Sequence, residues 1–209
     1  MDSNLGIRPH YSFYSHALTP GGSSTPNQLM VNTYSGNVVY QAVDFLWQAR
    51  VKPGFTRFYN SFSTRSSFLG YGWIFNYDEG LEAAAGGALP QLPSTATTSV
   101  KFRDATGRLT ETFTITTSGG SITAVTSTVI SDFLAVTFTS STLTITEKNG
   151  LAHTFTPLSG TDPDKLRSLK DRNANALDLT WTTGKLTKVS TTVDGVATDL
   201  IDTFTYNGS

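Results

Sequence analysis

The chain has 209 residues, no cysteine, and a net charge of −1 from 15 basic and 16 acidic side chains. This length can bury a core without covalent staples, and the lack of cysteine excludes disulfides, thiolate metal sites and cysteine nucleophiles. The near-neutral charge, with no run of Lys or Arg, argues against nucleic acid or an anionic membrane as a partner. Because no apolar stretch approaches about 18 residues, we also expect no membrane insertion.

Only 15% of the residues are charged, while Ser and Thr are abundant. This balance is more typical of exported β proteins than of cytosolic enzymes, so it favours a secreted or cell-surface location. The start, "MDSNLGIRPH", lacks the apolar segment behind a basic one that marks a signal peptide.

Turn-forming residues divide the first half of the chain. Residues 1–30 include "LTPGGSSTPNQ", which has no apolar periodicity and predicts a flexible arm or linker. Short apolar runs then follow, separated by turn signals at Ser35–Asn37 and at Pro53 with Gly54. The segment Gly80–Thr98 is rich in Gly and Pro, so we predict a loop and a domain boundary there.

The second half alternates apolar and polar residues with a period of two. This alternation, with β-branched Thr on the outward side, predicts half-buried antiparallel strands. The residues expected to share a buried face are Phe113 with Ile115, Leu134 with Val136 and Phe138, Leu143 with Ile145, and Leu177 with Leu179 and Trp181. Since no segment sustains a helical period, we predict an all-β fold of antiparallel sheets.

A weak repeat places a turn between successive strands of this half. In each unit an acidic residue is followed, three positions on, by Gly or Ala, and the three pairs are Asp104 with Gly107, Glu147 with Gly150, and Asp171 with Ala174. The acid can accept backbone N–H bonds, and the third residue can adopt the positive φ that lets a hairpin twist. We therefore predict a domain at 31–90 and an array of stacked hairpins at 98–209.

A spaced motif stands out within the first domain. It consists of a Gly-Asn turn, an Asp, Arg-x-Tyr-Asn-Ser, Gly-x-Gly-Trp, Asn-Tyr and a Leu. The matching positions are Gly36, Asn37, Asp44, Arg57, Tyr59, Asn60, Ser61, Gly70, Gly72, Trp73, Asn76, Tyr77 and Leu81. With the hairpins that follow, this pattern resembles the N-terminal domain and first irregular repeats of bacterial Rhs/YD-repeat proteins.

The resemblance implies a structural role. Rhs/YD-repeat proteins, the related C component of insecticidal toxin complexes and the teneurins wind β-hairpins into a hollow cocoon, which in the bacterial toxins holds a toxic C-terminal domain. This chain would start or plug such a shell, with the rest of the same polypeptide and the secretion machinery as partners. The self-cleaving aspartates of the family lie in an Asp-Pro-x-Gly-Leu stretch, and the sequence contains no such stretch.

Under this interpretation the key residues are architectural. Those expected to hold the first domain are Asp44, Arg57, Tyr59, Asn60, Gly70, Gly72 and Trp73, and those expected to shape the hairpins are Asp104, Gly107, Asp171 and Trp181. Asp44 and Arg57 would form an ion pair while the aromatic rings pack. Gly70 and Gly72 suit a bulge or a close backbone approach that seats Trp73.

A second interpretation treats the aromatic run as a binding surface. If Tyr59, Tyr71 and Trp73 were exposed, they could stack on sugar rings, and the chain would be a cell-surface carbohydrate-binding or adhesion module with surface glycans as partners. Packing is the more common role of such clusters, so we favour the architectural interpretation.

Enzymatic chemistry has little support in the sequence. His10, His16 and His153 are scattered, and no Gly-x-Ser-x-Gly element is present. Asp78 and Glu79 are adjacent, so in a strand they would point to opposite faces and could not flank one glycosidic bond. "DRNAN" lacks the Gly and distal Glu of a calcium loop. We expect neither an enzyme, such as a β-sandwich glycosidase or esterase, nor a metal or cofactor.

Overall fold

A computed structural model describes residues 13–18, 27–46, 54–105, 107, 109–127, 134–158 and 162–206. These ranges contain 18 strands and no helix, and the strands pair in antiparallel sheets. The all-β prediction is therefore confirmed. Within the same ranges, no helix is present that is long and apolar enough to cross a membrane.

The chain divides into two compact units, of which the first spans Met1–Gln48, Gly54–Asp78 and Ala105–Arg108. Its strands are β1 (Phe13–Leu18), β2 (Asn27–Asn32), β3 (Val38–Leu46), β4 (Gly54–Asn60), β5 (Ser66–Ser67), β6 (Gly70–Tyr71) and β7 (Trp73–Phe75). A five-stranded sheet has the order β1-β2-β3-β4-β7, and β5 pairs with β6. Side chains buried in this unit include Val39, Ala42, Phe55, Ile74, Phe75 and Tyr77.

The predicted flexible arm over residues 1–30 needs correction. β1 and the start of β2 lie inside that segment and pair from Phe13 opposite Asn32 to Leu18 opposite Asn27. Most of the Pro, Gly and Ser cluster that suggested an arm falls between these strands, at residues 19–26, outside the described ranges. Composition alone did not reveal that the short strand before this cluster has a hydrogen-bonding partner after it.

The second unit spans Ala49–Pro53, Glu79–Asp104 and Leu109–Ser209. Its strands are β8 (Gly80–Ala83), β9 (Ala96–Arg103), β10 (Leu109–Ser118), β11 (Ser121–Ser127), β12 (Ala135–Phe138), β13 (Leu143–Thr146), β14 (Ala152–Phe155), β15 (Leu166–Lys170), β16 (Ala176–Thr182), β17 (Lys185–Val193) and β18 (Val196–Thr203). Strands β8 to β11 form a four-stranded sheet and β12 to β18 a seven-stranded sheet. In both sheets each strand pairs with its sequence neighbour, so the unit is a run of hairpins.

The predicted boundary loop, Gly80–Thr98, is also different in the structure. A boundary between the two units falls between Asp78 and Glu79, and the predicted loop segment opens with β8, which pairs with β9. Leu81, Leu89 and Leu92 are buried. Gly86 does lie in a turn, where its N–H donates to the Ala83 carbonyl at 2.8 Å. The leucines are buried in the core, because buried apolar area stabilises the fold.

The period-two pattern places most core residues correctly. Phe113, Ile115, Leu143 and Ile145 are fully buried, and the face formed by Leu177, Leu179 and Trp181 is buried as well. The segment ending at Phe138 is the exception, since that side chain is 41% exposed. Its strand, β12, is an edge strand of the seven-stranded sheet and pairs within that sheet with β13 alone.

The repeated turns adopt the predicted backbone. φ is 80° at Gly107, 88° at Gly150 and 62° at Ala174. In the second and third turns the N–H of the left-handed residue donates to the carbonyl of the acidic residue, at 2.9 Å for Gly150 and 3.2 Å for Ala174. The repeat therefore marks one turn geometry, which Ala174 adopts despite its Cβ.

Replacing Ala174 by glycine is expected to stabilise the protein by about 0.5–1 kcal/mol. The left-handed conformation costs a residue with a Cβ about 1–2 kcal/mol, and the extra unfolded-state entropy of glycine offsets part of that gain. Urea denaturation measures the change. Ala135→Gly, at an exposed strand position, is the control and should destabilise, and equal losses in both variants would contradict the prediction.

Candidate functional site

Polar side chains of the spaced motif bond to backbone groups at the strand ends of the five-stranded sheet. Asn37 is fully buried, and its Oδ1 accepts a hydrogen bond of 2.9 Å from Ser61 Oγ. The same Oγ accepts a bond of 2.9 Å from the Val38 N–H, and the Ser61 N–H donates to the Val38 carbonyl at 2.9 Å. Together these bonds tie the start of β3 to the end of β4.

A second set of bonds ties the start of β4 to the end of β7. Asn76 Oδ1 accepts from the Thr56 N–H, and its Nδ2 donates to the Gly54 carbonyl, both at 3.0 Å. Tyr77 Oη accepts from the Gly54 N–H at 3.1 Å. The Asn-Tyr pair of the motif thus satisfies backbone groups that the strand ladder leaves open.

The two motif glycines allow the tight turn before Trp73. Gly70 and Gly72 have φ of 107° and 77°. A Cβ added at Gly72 would lie 2.8 Å from Tyr59 Cε2 and 3.0 Å from the Asn60 carbonyl oxygen. The Gly72 carbonyl accepts the Asn60 N–H at 2.9 Å. The expected close backbone approach is therefore present at Gly72.

Three aromatic residues form a ladder across β3, β4 and β7. Tyr40 lies opposite Tyr59, which lies opposite Trp73. The Trp73 ring centroid is 5.3 Å from that of Tyr59 and 6.1 Å from that of Tyr40, with the second pair edge to face. All three side chains are half-buried. We call this set the aromatic ladder.

The expected ion pair lies beside the aromatic ladder. Arg57 donates from Nε and from a terminal nitrogen to the two Asp44 carboxylate oxygens, both at 2.6 Å. Its guanidinium carbon also lies 5.4 Å from the centroid of the Trp73 ring. The hydrogen bond to Asp44 raises the pKa of Arg57. Because the guanidinium covers part of the Trp73 ring, less of that ring is available for stacking.

The alternative sugar-binding residues differ in their surroundings. Tyr71 is 63% exposed and lies on the short strand β6, whereas Tyr59 and Trp73 are packed within the aromatic ladder. Phe68, near this segment, packs edge to face on Phe75 with centroids 4.8 Å apart. Of the three residues in the alternative set, Tyr71 alone has the exposure that a stacking platform requires.

The hairpin residues singled out by the sequence contact the backbone. Asp171 Oδ2 accepts from Asn175 Nδ2 at 2.8 Å, and Oδ1 accepts the N–H groups of Asn173 and Asn175 at 2.8 and 2.9 Å. The bond from the Asn175 side chain, together with the two backbone bonds, lowers the pKa of Asp171. Trp181 is buried, and its indole N–H donates to the Leu166 carbonyl at 2.7 Å. The "DRNAN" segment is thus a turn closed by Asx-type bonds.

Gly107 occupies a position where a side chain would collide with a neighbouring residue. A Cβ at this position would lie 2.6 Å from Ile74 Cδ1. Its partner in the predicted turn, Asp104, directly follows β9. Burial raises the pKa of Glu79, and the nearby negative charge of Asp104 adds to that rise.

A cluster of three ionisable side chains, two of them buried and one partly exposed, occurs in the second unit. His153 lies on β14, and its Nδ1 is 2.5 Å from Glu79 Oε2 while its Nε2 is 3.1 Å from Glu147 Oε1. Glu79 directly precedes β8, and Glu147 belongs to the turn between β13 and β14. The His153 ring also packs edge to face on Phe102. We call Glu79, His153 and Glu147 the histidine cluster.

The histidine cluster has shifted proton affinities. Burial by itself lowers the pKa of His153, but its hydrogen bonds to Glu147 and Glu79 outweigh burial and raise that pKa to about 9. Burial raises the pKa of Glu79, and the hydrogen bond to His153 lowers that of Glu147. His153 is therefore a cation at neutral pH, held between two carboxyl groups.

Sequence reasoning placed His153 on a strand face but did not find its partners. It also missed a buried ion pair in which Arg103 Nε donates to Glu82 Oε1 at 2.8 Å. Both residues are buried, on the paired strands β9 and β8. Alternation in "VKFR" places Arg103 on the face of Lys101, opposite to Val100 and Phe102, so it gives no signal for a buried Arg103. Glu82 lies in the segment predicted to be a loop.

The acidic residues considered for catalysis or metal binding contact different partners. Asp78 contacts Arg65 at 3.4 Å whereas its neighbour Glu79 contacts His153. Both acids lie just before β8 and not within a strand. Within the described ranges, no group of three or more His, Cys, Asp or Glu side chains is arranged to hold a metal ion.

The described residues form an all-β fold. Polar side chains of the spaced motif bond to backbone groups at strand ends, and its aromatic rings pack against one another. Residues 29–111 match the family described as "Domain of unknown function (DUF6531)". This match covers less than half of the 209 residues and includes the whole spaced motif, from Gly36 to Leu81. No curated protein matches the chain.

Proposed function

We propose that this chain is the structural N-terminal part of an exported Rhs/YD-repeat toxin-like protein, which starts or plugs a hollow β-shell around a C-terminal effector. One observation carries the proposal. The motif side chains of Asn37, Ser61, Asn76 and Tyr77 are engaged with backbone groups at strand ends or with one another. Side chains used in this way build a fold and leave few groups to act on a substrate.

Two further observations support the same proposal. Domains of the matching family are associated with Rhs/YD-repeat-like proteins in general. The seven-stranded sheet is a run of neighbouring hairpins, each of which needs the next to cover it. In this proposal the partners are the rest of the polypeptide and the secretion machinery, the location is outside the cell or on its surface, and the chain has no enzymatic role.

Limited proteolysis of the full-length product of the native gene tests this proposal. We expect the C-terminal domain to resist protease in the complete protein and to be cleaved rapidly when residues 1–209 are deleted. A full-length Tyr71→Ser variant is the matched control and should stay protected, because Tyr71 is exposed. Equal protection with and without residues 1–209 would contradict the proposal.

A carbohydrate-binding module is the second candidate, and the exposure of Tyr71 beside the half-buried aromatic ladder favours it. Fluorescence of Trp73 separates the two candidates in a Trp47→Phe, Trp181→Phe background. If the ladder is packing, we expect a blue emission that acrylamide quenches poorly and that added sugars leave unchanged. A sugar-dependent shift that Tyr71→Ala abolishes would establish the module instead.

A further inference from the structure

We propose that the histidine cluster is a proton-operated latch. While His153 is protonated, the latch holds the segment that enters β8 against the hairpin of β13 and β14. When His153 loses its proton, that segment and that hairpin separate locally. This inference concerns the second unit alone and does not rest on the proposed shell.

The geometry of the cluster places His153 between two carboxylates. The imidazole contacts one carboxylate with each ring nitrogen, Glu79 at 2.5 Å and Glu147 at 3.1 Å. Protonated imidazole donates from both nitrogens, whereas the neutral ring donates from one. Only the protonated form can therefore bond to both carboxylates while these are ionised, and the two carboxylates belong to different parts of the chain.

Loss of the proton from His153 is costly because the Glu79 carboxylate that it faces is buried. Glu79 is 4% exposed and His153 is 2% exposed, so neither charge is well solvated. Phe102 packs on the His153 ring, and Asp104 adds a negative charge near Glu79. The cross-strand neighbours of His153 are Ile145 and Leu169. Without the imidazolium, Glu79 is left as a buried anion among apolar side chains and acids.

The direction of the pH dependence follows from linkage. The folded state raises the pKa of His153 from 6.5 to about 9. The stability that protonated His153 adds to the folded state is therefore complete below pH 6.5 and lost as the pH rises through 9. The raised pKa of Glu79 also makes the folded state less stable as the pH rises. The lowered pKa of Glu147 makes the folded state less stable as the pH falls into the acid range. The latch should be firmest between the unperturbed carboxyl and imidazole pKa values.

Hydrogen exchange of the backbone amides tests the latch in the intact chain. After correction for intrinsic exchange, we expect protection in β8 and in the β13–β14 hairpin to fall on the order of 100-fold between pH 6.5 and 9.5. The β10–β11 hairpin is the internal reference and should change much less. His153→Gln should remove the pH dependence, and His16→Gln should preserve it.

A second variant keeps the test decisive if His153→Gln does not fold. Glu147→Gln leaves Glu79 in place but removes one carboxylate, so release should occur at lower pH. The imidazole resonance of His153 should itself titrate far above 6.5 in the wild type. Protection that does not depend on pH, or an unchanged release midpoint in Glu147→Gln, would overturn the proposal.

Discussion

Replacing Arg103 by methionine is expected to destabilise the second unit by about 3–5 kcal/mol. Arg103 is 2% exposed and donates to Glu82 at 2.8 Å. Methionine fills much of the same volume, so the main loss is the positive charge that compensates the buried carboxylate. Urea denaturation followed by circular dichroism measures the change.

The matching double variant separates charge from packing. In Arg103→Met, Glu82→Leu both charges are gone, and we expect most of the lost stability to return, since apolar side chains can replace a buried ion pair. Lys101→Met, on the same strand and partly exposed, should cost less than about 1 kcal/mol. A loss for Arg103→Met no larger than that of the lysine variant would contradict this account.

Replacing Gly72 by alanine is expected to cost the first unit about 3 kcal/mol. The left-handed φ of 77° accounts for about 1–2 kcal/mol, and displacement of the crowded neighbours accounts for the rest. The new Cβ would meet Tyr59 of the aromatic ladder and the Asn60 carbonyl oxygen, which belongs to rigid backbone. Acrylamide quenching of Trp73 should increase, because the neighbouring ring must move.

Gly36 offers a matched control for this prediction. Its φ is 73°, but an added Cβ would meet nothing within 4 Å. Gly36→Ala should therefore cost only the backbone contribution, about 1 kcal/mol, and should leave Trp73 quenching unchanged. If the two alanine variants lost the same stability, the close approach at Gly72 would not be the reason for its glycine.

Local patterns in the sequence predict the strands and turns well. Phe113 and Ile115 are buried because alternation puts them on one face, and Ala174 is left-handed because it occupies the place of a glycine. The Asp194-Gly195 turn between β17 and β18 has positive φ at both residues. This dipeptide is a strong signal for a two-residue hairpin.

What the sequence could not predict depends on contacts between distant residues. Glu79 and His153 are 74 positions apart, so nothing local links them. The position of β8 shows the same limit, because Gly and Pro around Leu81 suggested a loop while burial of the leucine favours a strand. Motif spacing did identify Gly72 and the Asp44–Arg57 pair, since tight turns and cross-strand pairs are short-range features.

A cryo-electron microscopy structure of the full-length native protein would test the structural role most directly. We predict that residues 27–206 form part of the wall or the end of a closed β-shell, with a further strand hydrogen-bonded along β18 and an enclosed chamber behind it. If these residues instead form a separate module on a linker, with the edge of β18 in solvent and no chamber, the proposed function is wrong.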